Sequence, residues 1–214
     1  MYQNSLRLLD ANLQDVNELL SIPKLIPGHR YKILQINKTA IVFITASFEI
    51  FIESLAEEAF NYLVNRCETP EDIPNKIKNI IASRFINSSD IKIPWTFAGD
   101  GWRDVLLNYS QDIVKKYVGS FNTPKPDNID SLFLELIGLK NISLNWSYKP
   151  ERYSEGAVEI YKRYLKDRHV IVHRNDDPTA PSIFYARRYQ DIIKTISKQS
   201  ADAIENHFIE TLKK

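Results

Sequence analysis

The chain has 214 residues, of which 43% are hydrophobic and 26% charged, which is typical of a folded globular protein and excludes a disordered chain. Its 28 lysine and arginine residues nearly balance its 27 aspartate and glutamate residues, giving a formal net charge of +1. This balance argues against a protein that coats nucleic acid through a broad basic surface, but it permits a small, local basic site. The glycine count of 6 argues against an all-β fold and against a glycine-rich nucleotide loop.

Proline residues divide the chain into segments with helical periodicity, since a proline inside a helix costs about 3 kcal/mol. The apolar spacing predicts helices at residues 5–20, 32–66, 74–85, 101–118, 128–137, 154–172 and 185–212. Asp100 and Ser154 are expected N-caps, and Gly138 is expected to end the fifth helix. The sequence thus predicts an all-α fold, a helical bundle with long central helices, in one domain spanning residues 1–214.

The most apolar stretch, residues 39–56, lies in the longest expected helix and contains Glu49 and Glu53. Carboxylates are costly within a bilayer, so we expect a buried helix of the bundle and no membrane partner. Cys67 is the only cysteine, which excludes a disulfide within the chain and a zinc site built from several cysteines. The first residues lack the pattern of a signal peptide, and we expect a cytoplasmic protein.

The segment between residues 166 and 175 concentrates side chains suited to phosphodiester chemistry. It contains two histidines and two arginines, namely Arg168, His169, His173 and Arg174, near the expected end of a helix. Histidine titrates near neutral pH and can take or give a proton. Arginine stays charged and offers a planar fork of donors that matches a phosphate group.

Arg168 and His173 are five positions apart, a spacing that does not place them on one face of an ideal helix. They can converge if the helix frays after Val172, if the long arginine stem curls over, or if a two-fold dimer brings two copies together. A dimer would also double the local positive charge of Lys162, Arg163 and Lys166 while the whole protein stays near neutral.

His169 and His173 are four apart, so they share a helix face and have the spacing of half a metal site. The sequence offers no further ligand beyond Asp176 or Asp177, and we expect no metal and no cofactor. The Arg-to-His spacing is loose enough to arise by chance. His207 lies among apolar positions and is expected to be a satisfied core histidine.

An acidic stripe at spacings of four interrupts the longest helix at Glu49, Glu53 and Glu57. Such a stripe is usually the solvated face of a helix. Because a buried carboxylate needs a partner, Glu49 is alternatively expected to hold Arg168 in place.

The residues Arg-His-Val-Ile-Val-His at 168–173 resemble the R-x4-6-H motif of HEPN domains, in which a polar residue, here His169, commonly follows the arginine. Three further stretches are similar to RiboL-PSP-type and related defence-associated HEPN proteins. They are residues 46–53 for the long helix, residues 128–139 with Trp146 for the segment before the motif, and residues 173–175 for its ending. The resemblance spans about residues 32–207, in matching order.

This resemblance implies a bundle that dimerises, with two motifs facing each other in a cleft, and a metal-independent endoribonuclease activity. His173 would activate the RNA 2′-hydroxyl or protonate the leaving 5′-oxygen. Arg168 would stabilise the charge that builds on the phosphorane, and His169 would assist in orientation or proton transfer. Arg174 and Glu49 are the expected supporting residues.

We therefore expect an RNA-cleaving homodimer, a toxin or antiphage effector, with an antitoxin or another defence-system protein as a further partner. The alternative is a noncatalytic HEPN module that binds a nucleotide or a protein, with the motif as an ion-pairing element of the dimer interface. A third hypothesis is a purely structural helical protein. HEPN toxins controlled by nucleotidyltransferase partners often carry a tyrosine where this chain has Asn175, which argues against that control.

Overall fold

The computed structural model describes residues 2–22, 30–86, 89–121, 123–148, 156–173 and 181–212, and it leaves out the side chains of Arg30, Tyr31 and His173. The described residues form eight α-helices and no strand, which confirms the predicted all-α bundle. The helices are α1 Gln3–Ser21, α2 Arg30–Arg66, α3 Asn75–Ser83, α4 Ile93–Thr96, α5 Gly101–Gly119, α6 Pro126–Ile137, α7 Ala157–His173 and α8 Ile183–Thr211. Two short 3-10 helices lie at Pro70–Asp72 and Ile142–Asn145.

Helix α2 forms the centre of the bundle and contacts α1, α5, α6, α7 and α8. Among the described residues, only its stretch Lys32–Arg66 is long and apolar enough to cross a membrane by length and composition. Neighbouring helices cover this stretch, however, and side chains such as Phe48, Phe51 and Phe60 are fully buried. Its apolar character is therefore that of a core helix with neighbours on several sides.

Helix α1 packs along α2 through an apolar stripe at spacings of three and four, in which Leu6 is half-buried and Leu9, Leu13, Val16 and Leu20 are buried. The side chain of Gln190 on α8 donates to the carbonyl oxygen of Leu13 at 3.1 Å, which ties α8 to the same helix. The long helices are therefore held together both by apolar burial and by a buried hydrogen bond.

The helix bounds follow the predicted ones within a few residues, and the differences have local causes. Helix α6 begins at Pro126, because proline is well suited to the first helical position, where no N–H is needed. It ends at Gly138, whose left-handed φ of 78° confirms the predicted cap. Helix α8 begins earlier than predicted because the Ser182 hydroxyl accepts a hydrogen bond from the Tyr185 backbone N–H at 3.1 Å.

Two other predicted caps have different outcomes. Asp100 occupies the N-cap position of α5, but its side chain makes no capping hydrogen bond. Ser154 lies outside the described residues. The four-residue helix α4 was not predicted, because one helical turn is too short to show periodicity.

An aromatic cluster packs against the buried side of α7. Tyr161 on α7 packs edge-on against Phe48 and Trp146, with ring centroids 5.3 and 5.8 Å away. The Trp146 indole N–H donates to the Ser200 hydroxyl at 2.8 Å. Helix α7 is thus fixed against α2, α8 and the segment that carries Trp146.

His207 is a half-buried structural histidine, as predicted. Its Nε2 donates to the carbonyl oxygen of Ile137, at a distance of 2.9 Å, and its ring contacts Phe208. This hydrogen bond satisfies the end of α6, where carbonyl groups have no partner within the helix.

Candidate functional site

Helix α7 carries two neighbouring stripes of side chains. Tyr161 and Tyr164 are buried, and Arg168 follows Tyr164 by four residues on the same side. The second stripe consists of Lys162, Lys166 and His169, which are exposed and spaced by four and three residues. We call this second set the basic stripe.

The buried stripe places Arg168 beside the core of the bundle. Tyr164 stacks on Tyr189 of α8, with ring centroids 4.3 Å apart, and the Tyr189 hydroxyl shares a 2.8 Å hydrogen bond with the Thr45 hydroxyl. Burial raises the pKa of Tyr189, while the hydrogen bond with Thr45 and the positive charge of Arg168 act in the opposite direction. The positive charge of Arg168 therefore lies close enough to Tyr189 to act on the pKa of this buried tyrosine.

Arg168 itself is half-buried, and its Nε atom is buried without a hydrogen-bond partner in the described part of the molecule. No ion pair joins it to Glu49 within the described residues. Glu49 is half-buried, and its charge adds to burial in raising the pKa of Glu53. The arginine thus keeps donor capacity that the surrounding protein does not use.

A cleft of about 450 Å³ runs beside the basic stripe. Its lining comes from α7 and from the start of α6, with the residues Thr123, Lys125, Pro126, Asp127, Lys162, Leu165, Lys166, Arg168 and His169. Arg168 reaches this cleft from the neighbouring stripe, as a long side chain can. The predicted site residues Arg168 and His169 therefore meet at one surface.

Residues 123–126 form the wall of the cleft opposite α7, and hydrogen bonds to the backbone of Thr123 and Pro124 hold them in place. The Tyr161 hydroxyl donates to the carbonyl oxygen of Pro124 at 2.7 Å, which fixes this wall to α7. Thr123 has a left-handed φ of 57°, which is uncommon for a β-branched residue. Its carbonyl accepts from the Lys125 backbone N–H at 2.7 Å and from the Asn128 side chain at 3.0 Å. These hydrogen bonds therefore give this wall of the cleft a defined conformation.

The charge of the cleft is strongly one-sided. Lys125, Lys162, Lys166 and Arg168 face a single carboxylate, that of Asp127. Lys162 also pairs with Glu159 outside the cleft, at 3.1 Å. Within the described residues, the two other lysines and Arg168 form no ion pair. The cleft therefore favours an anionic ligand.

His173 is the last residue of α7, and the structure describes its backbone only. Because the helix continues through His173, fraying after Val172 does not bring Arg168 and His173 together. Their backbone positions differ by about 140° around the helix axis. His173 instead follows His169 by four residues, so its backbone position continues the basic stripe. Arg174 lies outside the described residues.

No group of three or more histidine, cysteine, aspartate or glutamate side chains that could hold a metal ion is found in the described part of the chain. The side chain of His173, as well as Asp176 and Asp177, lies outside that part. The imidazole of His169, which lines the cleft, is chemically suited to proton transfer and to contact with a phosphate.

The family model of RiboL-PSP-HEPN matches residues 2–210. The chain belongs to this family. No curated protein and no solved structure gives a significant match. The family resemblance of residues 32–207 is thereby confirmed, and the RiboL-PSP-HEPN match extends over almost the whole chain.

Sequence reasoning identified the α7 side of the RiboL-PSP-HEPN cleft but missed its other wall. Lys125 and Asp127 precede the predicted start of α6, and nothing in their local sequence shows that they face α7. Proline at the first helical position could have placed the start of α6 correctly. The approach of this helix start to α7 depends on the tertiary hydrogen bond between Tyr161 and Pro124.

Proposed function

We propose that this RiboL-PSP-HEPN protein is a metal-independent endoribonuclease that works as a homodimer. The observation that carries the proposal is the cationic cleft lined by Arg168 and His169, beside the helical stripe that continues to His173. Guanidinium groups bind phosphate and imidazole groups transfer protons, and both functions serve phosphodiester cleavage without a metal.

In the proposed reaction, His173 accepts the proton of the RNA 2′-hydroxyl, and the resulting 2′-oxygen attacks the adjacent phosphorus. The bond to the 5′-oxygen breaks, and that oxygen takes up a proton from an acid in the site. The products are a 2′,3′-cyclic phosphate and a 5′-hydroxyl. DNA is inert in this scheme because it lacks the 2′-hydroxyl.

Arg168 stabilises the negative charge on the phosphorane through its guanidinium group, since this side chain lines the cleft. His169, exposed on the same cleft, orients the phosphate or supplies the proton to the 5′-oxygen. Arg174, which follows α7 in the chain, adds positive charge, and Glu49 on α2 has a supporting role that does not rest on an ion pair with Arg168.

We propose a two-fold dimer in which the two motifs face each other in a cleft between the protomers. Apolar side chains near the motif stay exposed in the single chain, with Val172 at 47% and Phe184 at 69%. Burial of such side chains in an interface would be favourable. We further propose one HEPN domain over residues 1–214 and a cytoplasmic toxin or antiphage effector, held in check by an antitoxin or another defence-system partner.

The test of this proposal uses a synthetic RNA and a matched RNA with a single 2′-deoxy nucleotide at the mapped cleavage position. Purified protein in EDTA should cut the first at that position and leave the second intact there. The new ends should be a 2′,3′-cyclic phosphate and a 5′-hydroxyl. Cleavage next to the 2′-deoxy nucleotide would contradict the proposed chemistry.

The noncatalytic alternative makes a different prediction. If the motif only pairs ions across a dimer interface, wild-type protein cuts no RNA, and Arg168→Ala shifts the protein to a later elution volume in size-exclusion chromatography. An unchanged elution volume together with a loss of RNA cleavage would favour the endoribonuclease.

A further inference from the structure

The described lining of the cleft on α7 runs from Lys162 to His169, whereas the proposed base, His173, lies at the end of the helix. Lys162 and His173 are eleven residues apart, which corresponds to about 16 Å along a helix. A phosphate that is attacked next to His173 cannot also contact the lysine at the far end of the basic stripe. The cleft can therefore bind a second anion, away from the phosphate that is attacked.

We infer that the cleft between α7 and the start of α6 is a subsite for the phosphates of an RNA strand that flank the cleaved position. This inference rests on the proposed function for its ligand, RNA, and on the cleft itself for the location. Lys125 and Lys166 are the residues assigned to contact these backbone phosphates.

Two lysines from different elements line this one cleft without a carboxylate partner. Lys166 comes from α7 and Lys125 from the N-cap position of α6, and both are exposed. Neither forms an ion pair within the described residues. Cations that share a cleft repel each other, and an anion bound between them relieves this repulsion.

The inference does not depend on the helix dipole at the N-terminus of α6. Its first residue, Pro126, has no N–H to donate, and the next residue, Asp127, brings a negative charge into the cleft. The lysine side chains are the groups that make the cleft positive. Lys125 and Lys166 are exposed, so a strand can bind along the open side of the cleft.

The size and chemistry of the cleft fit a single strand. A volume of about 450 Å³ lies in the usual range of ligand sites and holds part of a strand. Leu165 and Pro126 supply apolar surface between the cations. Proteins that bind single strands without sequence preference use a positive groove that follows the backbone.

The test measures binding separately from cleavage. A fluorescent, fully 2′-O-methylated oligonucleotide cannot be cut by 2′-hydroxyl attack, and its affinity is measured by anisotropy over a range of salt concentrations. The test variant is Lys125→Gln with Lys166→Gln. The matched control is Lys115→Gln with Lys198→Gln, two exposed lysines on α5 and α8 that do not line the cleft.

The subsite predicts that the test variant binds at least about ten-fold more weakly than wild type, and that the control binds like wild type. The dependence of log affinity on log salt should become shallower by about 0.7 for each lost phosphate contact on a single strand. A titration with adenosine monophosphate as competitor distinguishes a strand from a free nucleotide, since the mononucleotide should compete weakly.

Equal binding by wild type and the test variant would overturn the subsite, and so would no binding by wild type or strong competition by the mononucleotide. These results leave the proposed reaction to be judged by the cleavage assay alone. Conversely, cleft-dependent binding by a protein that cuts no RNA would support the subsite and contradict the ribonuclease. The two proposals therefore fail separately.

Discussion

The hydroxyl of Tyr185, in the first turn of α8, donates a hydrogen bond to the carboxylate of Asp167, the residue directly before Arg168. Tyr185 also packs against Tyr164, with ring centroids 4.7 Å apart. Burial, followed by the hydrogen bond to Asp167, raises the pKa of Tyr185, so the phenol remains a donor throughout the physiological range. This contact fixes the segment of α7 that carries the motif.

We expect Tyr185→Phe to weaken this attachment while leaving the aromatic packing in place. Loss of the hydrogen bond should lower the free energy of unfolding by about 1 to 2 kcal/mol, measured by urea titration. If the contact positions Arg168, RNA cleavage should fall several-fold in kcat with little change in KM.

Tyr109→Phe is the matched control, because the Tyr109 hydroxyl makes no hydrogen bond within the described residues and the ring lies away from the cleft. A Tyr185→Phe protein with wild-type stability and kcat would show that the contact with Asp167 has no positioning role.

The hydrogen bond between Trp146 and Ser200 leads to a second prediction. Ser200→Ala leaves the buried indole N–H without its partner and should destabilise the protein by about 1 to 3 kcal/mol. Thr211→Ala is the control, since Thr211 is exposed and bonds only within its own helix. It should change stability by less than about 0.5 kcal/mol. Equal effects in thermal unfolding would contradict the buried role of Trp146.

The sequence indicated much of the bundle because its helices are long and amphipathic. The apolar stripe of α1 and the positions of the prolines between helical segments led to helix bounds close to those observed. Gly138 was recognisable because a left-handed cap favours glycine. Local rules of this kind act within a few residues, so they can be read directly from a chain.

The cleft could be predicted only on one side, because its other wall depends on a distant contact. Helical spacing grouped Lys162, Lys166 and His169, and the motif drew attention to Arg168. The approach of Lys125 depends on Tyr161 and Pro124, which are 37 positions apart in the chain. No local pattern encodes such a pairing. The predicted support of Arg168 by Glu49 is likewise a tertiary contact, and the described residues show no ion pair there.

Buried tyrosines around α7 give a prediction for the pH dependence of stability. Burial is the largest cause that raises the pKa of Tyr161, Tyr185 and Tyr189 above the ordinary value of 10.0. In the unfolded chain these phenols lose their protons near pH 10, while the folded protein retains them. The unfolded state then binds fewer protons, so stability is full below pH 10 and is lost as the pH rises further.

Urea unfolding on both sides of pH 10 measures this effect. The midpoint should fall steeply on the alkaline side, and Tyr189→Phe should reduce that fall because it removes one of the buried phenols. A midpoint that is constant through the alkaline range, or equally steep in Tyr189→Phe, would show that these tyrosines ionise alike in the folded and unfolded states.

We propose that the residues at the end of α7 cleave RNA without a metal ion. The most direct measurement compares wild type with His173→Ala on one RNA in the presence of EDTA, after circular dichroism and thermal unfolding show that both are equally folded. We expect cleavage by wild type and a loss of at least about a hundred-fold in kcat/KM for the variant. Equal cleavage by the two proteins, or no cleavage by wild type on varied RNAs, would contradict it.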